Sequence, residues 1–331
     1  MPATEDAANQ PRNPENRLRI DYRDVPAPRS PGPIIDAHTH VYAGPQADLF
    51  FESARLYGVT HVMSMSPLVD VPELRERFGD ELSFIAIPNW KKMNASDDSR
   101  REWMADLTTF RQTHGAKLCK FWMAPQMRER HGWTVDHPFL RPIVDHSVAL
   151  GYNFLIHVAD PTVWFAPGKQ YADASKFGTK ADQYPQLEWL CEYVAPRIVI
   201  AAHMGGNIED PEFLQSLLDR HANLRLDSSA TKWIVREVAR EPERVREFIE
   251  RNADRIVFGS DVVASTNFTR FDHFASRYWA HRMMWESDYR GESPIEDPDA
   301  DPPLLAGLSL SPPTLRKLYD ENMHALGFAG R

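Results

Sequence analysis

A (β/α)₈ barrel is the fold this sequence predicts, on three observations. From Ile34 onward, short apolar β-rich runs alternate with longer amphipathic ones, the pattern of parallel strands joined by crossover helices. The strand-like runs number eight. The alternation extends over about 290 residues, which suits a barrel of typically ~250 residues plus insertions better than an open doubly wound sheet.

The expected strands are 34–40, 59–65, 82–87, 116–122, 152–158, 198–203, 224–227 and 256–261. Each is rich in Val, Ile, Leu or Phe and bounded by Gly, Pro or charged residues. Helical periodicity falls at 47–57, 71–78, 100–113, 139–150, 186–194, 212–220 and 233–251. Residues 1–33 are rich in Pro, Asn, Arg and Asp without either periodicity, and read as a flexible Pro-rich arm that could pack on a neighbour. Residues 34–331 then form a single catalytic barrel. Two insertions, at about 161–184 and 286–313, follow the fifth and eighth strands, so both belong to the face on which a barrel builds its site.

Composition narrows the function. With 42% apolar and 26% charged residues the chain can bury a core, and no apolar run is long enough to span a bilayer or serve as a secretory signal. A cytoplasmic protein is expected, with no membrane partner. A formal charge of −9 without a basic cluster opposes nucleic-acid binding. The two cysteines, Cys119 and Cys191, are too few for a disulfide framework and too distant for a zinc–thiolate pair, so any metal falls to histidine and carboxylate. No Gly-x-Ser-x-Gly elbow, dinucleotide fingerprint or phosphate loop is present.

The chemistry concentrates at strand tips. In Ile34-Ile35-Asp36-Ala37-His38-Thr39-His40, two histidines at i and i+2 close an apolar strand and point to one side. His157 ends the fifth strand, His203 the sixth and Asp261 the eighth. In a parallel barrel those tips share one rim, so topology gathers residues far apart in sequence. Asp36 is expected on the same face as His38 and His40, only deeper, and Asp160 near the rim.

These motifs, Asp36-Ala37-His38-Thr39-His40, His157, Ala202-His203-Met204-Gly205-Gly206 and Phe258-Gly259-Ser260-Asp261, resemble the amidohydrolase superfamily, in its amidohydrolase-related branch (amidohydrolase 2). The resemblance runs from Ile34 to the Leu318-Tyr319-Asp320-Glu321-Asn322 segment. It implies a metal held by His38, His40, His157 and Asp261. The branch contains both hydrolases and nonoxidative decarboxylases.

Three imidazoles and a carboxylate leave a dication with residual charge and room for a water whose pKa falls toward neutrality. Asp261 could take that water's proton, and His203 could polarise a carbonyl or protonate a leaving group. The alternative for His203 is a second metal, with Lys120 as the carboxylated lysine of binuclear members. Lys120 could equally be an unmodified charge that positions substrate, or a solvated lysine. One Zn²⁺ is the expected cofactor; Mn²⁺, Fe²⁺ or Co²⁺ could occupy the same ligands. Trp122, Trp164 and Ser228 are candidate substrate contacts. The leading function is a metal-dependent hydrolase of a small ester, lactone or amide. Its alternative is a metal-dependent decarboxylase of an unsaturated or aromatic acid, and a third reading is an inactive metal-binding barrel. The expected partner is a small-molecule substrate, and the arm and long insertion are compatible with a homodimer.

Overall fold

The computed structural model describes residues 13–328. Strands β1 (Ile34–Val41), β2 (Val59–Ser64), β3 (Leu82–Ala86), β4 (Leu118–Trp122), β5 (Asn153–His157), β6 (Val199–Ala201), β7 (Leu224–Asp227) and β8 (Ile256–Val257) pair in sequence order, all parallel. A ninth piece, β9 (Val262–Ala264), pairs with β1. The expected eighth strand is thus one strand in two halves, the first on β7 and the second on β1. Between them Ala37 N–H donates to Phe258 O and Asp261 N–H to His38 O, so the hydrogen bonding closes into a (β/α)₈ barrel.

Period-two alternation sorts the side chains. Cys119, Phe121, Phe154 and Ile156 pack outward against the helices, while Leu118, Leu155, Ile200 and Val257 fill the interior with Ile35 and Ala37. Lys120, Trp122 and His157 share the inward parity at the strand ends. β1 breaks this rule. Its register on β2 slips between Asp36 and Thr39, so the interior residues change from Ile35 and Ala37 to His38 and His40. Asp36 therefore faces outward onto Tyr278, not into the histidines' face as expected.

Other expectations shift for local reasons. The helix expected at 233–251 is two helices, Thr231–Val238 and Pro242–Arg251. Pro242 has no N–H for an ongoing helix and starts the second one instead. Helix Phe271–Glu286 was not expected, because thirteen of its sixteen residues are buried and it shows no polar stripe. Among the described residues no helix is long and apolar enough to cross a membrane.

The described part of the arm, residues 13–33, is not loose. Tyr22 is 2% exposed, and Tyr57 donates to its carbonyl. Asn13 and Asn16 donate to Asp272, and Glu15 pairs with Arg277 at 2.6 Å and His273 at 3.1 Å. The anchors are one buried aromatic, Tyr22, and irregularly spaced polar contacts, which is why no periodicity announced them. Residues 1–12 of the expected arm lie outside the described residues.

This anchor carries a pH prediction. Burial alone would raise the Glu15 carboxyl, but His273 and Arg277 together outweigh it and lower it from 4.5 to about 2. A depressed folded-state value gives stability that is complete above the unfolded value and is lost as pH falls from about 4.5 toward about 2. The contribution is up to about 3 kcal/mol. Hydrogen exchange of residues 13–24 is expected to accelerate between about pH 5 and about pH 3 while β1–β7 keep their protection. Equal acceleration everywhere would refute a local anchor.

Candidate metal centre and substrate cavity

At the end of the barrel where the strands finish lies a cavity of about 570 Å³, lined by His38, His40, Lys120, His157, His203 and Asp261 among others. Strand parity delivers Lys120 and His157 and the slip in β1 delivers His38 and His40, but two require left-handed backbone. His203 (φ 58°) and Asp261 (φ 56°) adopt a conformation that costs a non-glycine residue of order 1–3 kcal/mol, strain of the kind that persists where surrounding structure imposes it. Gly259 makes the Asp261 turn feasible: a Cβ there would lie 2.7 Å from the His38 Cβ. Asp36 secures the same turn from outside, accepting from Ser260 N–H at 2.9 Å, Ser260 Oγ at 2.6 Å and Tyr278 OH at 2.9 Å. Burial raises the Asp36 carboxyl to about 7 despite these donors.

Three side chains converge at the cavity floor. Asp261 Oδ1 is 3.2 Å from His40 Nε2 and 3.4 Å from His38 Nε2. Atoms held ~2.0–2.2 Å from one tetrahedral ion sit roughly 3.3–3.6 Å apart, so the spacing suits a shared divalent cation. Burial would raise the Asp261 carboxyl, but the His40 hydrogen bond and the neighbouring imidazoles hold it well below the usual carboxylate range. Burial also lowers the His38 imidazole, and the nearby Lys120 charge adds to the effect. A neutral His38 imidazole beside an ionised Asp261 carboxylate is the pair of protonation states that ligation requires.

Asp227, which sequence reasoning passed over, organises this floor. Its Oδ2 accepts from His38 Nδ1 at 2.7 Å, which leaves the His38 Nε2 lone pair facing the cavity. Its Oδ1 accepts from His203 N–H at 2.9 Å, Ser229 N–H at 3.0 Å and the Ser229 hydroxyl. Ser229 Oγ in turn accepts from His203 Nδ1 at 2.7 Å, so His203 also keeps its Nε2 free of a proton. Burial pushes the His203 imidazole down to about 3. The group His38, His203 and Asp227 is close enough to hold an ion, but these hydrogen bonds already account for its geometry. The available signal was an acid at the tip of the short strand-like run Leu224-Arg225-Leu226, the rule that found Asp261.

The other expected residues divide. His157 lines the cavity, yet its Nε2 lies 3.1 Å from Asp160 Oδ1 and it is not gathered with His38, His40 and Asp261. Asp160 also accepts from Tyr171 OH at 2.9 Å. Lys120 Nζ is buried 3.4 Å from His38 Nε2, with no carboxylate in ion-pair range among the described residues. Burial lowers it to about 8 against the pull of Asp227 and Asp261. Trp122 and Trp164 stand in the cavity wall. Ser228 does not: it is fully buried and accepts from Gly259 N–H at 3.3 Å, a turn-forming role. Trp90, Trp233 and Arg130 complete the wall and were not singled out from sequence.

Neither protein-family models nor curated protein sequences match the chain. Solved structures do. A zinc-bound amidohydrolase from Burkholderia multivorans aligns at TM-score 0.53 and 12% identity, over 90% of this chain and 100% of that one. The chain has the amidohydrolase fold. The chain is also similar to a Pseudomonas putida protein described as a 2-pyrone-4,6-dicarboxylic acid hydrolase, at TM-score 0.52 and 14% identity over 90% and 98% of the two chains. A 5-carboxyvanillate decarboxylase from Novosphingobium aromaticivorans, complexed with manganese, aligns at 0.50 and 13% over 94% and 98%.

Proposed function

We propose that the chain is a metal-dependent hydrolase of a small ester, lactone or amide, with one divalent cation, Zn²⁺ by preference, held by His38, His40 and Asp261. His157, which lines the same cavity, would be the fourth ligand in place of its contact with Asp160. The observation that carries this reading is the 3.2–3.4 Å spacing of Asp261 Oδ1 from two imidazole Nε2 atoms at a cavity floor. A cation bound there supplies Lewis acidity that polarises a substrate oxygen and acidifies water.

The chain's own groups supply the rest. Asp261 accepts the proton of the attacking water and passes it to the leaving group. His203, pinned at Nδ1, offers Nε2 as an acceptor that orients the water. That geometry suits an acceptor or a further ligand better than the proton donor expected from sequence. Trp90, Trp122, Trp164 and Trp233 suit a planar substrate. Lys120 at the floor and Arg130 toward the mouth suit one that carries negative charge.

The same two cations favour a second reading, loss of CO₂ from an unsaturated or aromatic acid, the reaction class of the manganese-bound neighbour. Elemental analysis and turnover on one preparation separate the readings. Hydrolysis predicts acid released without CO₂, and decarboxylation the reverse. Full metal occupancy with neither product across a wide panel of esters, lactones, amides and acids would favour the inactive barrel.

Asp227→Asn tests the orienting network. The amide can present N–H to His38 Nδ1 where the carboxylate accepted, which disfavours the ligating tautomer. Zinc affinity, measured by chelator competition, is expected to fall ~10–100-fold with the fold retained. Unchanged affinity would exclude Asp227 from orienting His38.

A further inference from the structure

The two insertions meet beside the cavity. Trp164, from the insertion after β5, lines the cavity, and its indole Nε1–H donates to Asp299 Oδ2 at 2.7 Å. Lys169 Nζ, from the same insertion, donates to Asp299 Oδ1 at 2.7 Å. Asp299 belongs to the other insertion and is itself held in place. Its N–H donates to Asp297 Oδ1 at 2.9 Å, and Asp297 Oδ2 accepts from Arg236 Nη1 at 2.5 Å. Arg236 is buried on helix Thr231–Val238, one turn after Trp233, which lines the same cavity. The feet of the first insertion are tied elsewhere: Glu209 Oε1 accepts from Thr162 N–H at 2.8 Å and from Lys180 Nζ at 2.6 Å. Glu209 therefore fixes where the insertion leaves and rejoins the barrel.

We propose that Asp299 is a positioning residue: by accepting the Trp164 indole N–H it fixes that ring as a wall of the cavity, joining the two insertions at a single carboxylate. A half-buried indole needs an acceptor for its N–H, and a carboxylate is the strongest one a side chain offers. The segment Thr162–Phe165 is one 3₁₀ turn, too short to hold the ring by its own backbone. The functional meaning of the wall rests on reading the cavity as the substrate site, while the contact itself does not.

The test is ¹⁹F NMR of the full chain labelled with 5-fluorotryptophan, in which Trp164→Phe identifies one of nine tryptophan signals. In Asp299→Leu the Trp164 signal is expected to move to a solvent-exposed shift, and amide exchange over 162–171 to rise roughly tenfold or more. Asp299→Asn retains an acceptor oxygen and is expected to keep both near the parent values. An unmoved Trp164 signal in Asp299→Leu overturns the proposal. So does an equal disturbance in Asp299→Asn, which would assign the effect to the charges around Arg236. If Asp299→Leu does not fold, Trp164→Phe decides from the other side: faster exchange over 297–301 supports the contact, and unaltered exchange overturns it. Zinc stoichiometry on the same samples is expected to stay at the parent value. A parent that binds no zinc contradicts the functional reading, and the NMR result for the contact stands apart from it.

Discussion

Asp261→Asn is expected to lower kcat by ~10² or more while the metal site can still be filled. Asn has nearly the shape of Asp and offers an oxygen where Oδ1 now meets His38 and His40, so ligation weakens without vanishing. It cannot accept a proton at neutral pH, so the attacking water loses its base. The backbone consequence is small, because Asn tolerates the left-handed conformation found at this position better than most residues. Steady-state rates with zinc in excess, alongside the bound-metal ratio, make the comparison clean. A fully loaded variant that turns over within a few-fold of the parent would reduce Asp261 to a ligand and leave the proton transfer to His203.

The second large effect is loss of the metal itself in His38→Ala/His40→Ala. Of the three converging atoms only Asp261 Oδ1 survives, with His157 across the cavity, and two ligands do not retain the ion against water. The two single variants should differ in stability. His40 is 28% exposed at its side chain and meets Asp261 there, so His40→Ala is expected to leave Tm near the parent value. His38→Ala strips the buried Asp227 Oδ2 of its donor, and an orphaned buried acceptor costs about 1–3 kcal/mol or more. Calorimetry and bound-zinc ratios on the three variants check both statements. Full zinc occupancy in the double variant would remove these histidines from the metal site.

The barrel was legible because strand and helix periods alternate cleanly, and seven of the eight strand positions needed at most end corrections. The cavity lining was legible where strand parity alone delivers a residue, as at Lys120, Trp122 and His157. It was less so where the backbone departs from regularity. Asp36 was misassigned to the histidine face because the slip in β1 has no sequence mark, and the left-handed turns that aim His203 and Asp261 are equally silent. Asp227 was missed although it obeys the strand-tip rule, since a carboxylate followed by two serines also reads as a turn. Helix Phe271–Glu286 and the anchored arm hide for complementary reasons: one is buried all round, and the other is held by scattered polar contacts.

The most direct measurement is anomalous diffraction at the zinc edge from crystals of the zinc-loaded protein. A peak ~2.0–2.2 Å from His38 Nε2, His40 Nε2 and an Asp261 oxygen is the expected result, with His157 turned from Asp160 to meet it. A protein that takes up no zinc, or one whose peak lies away from these three side chains, would contradict the account.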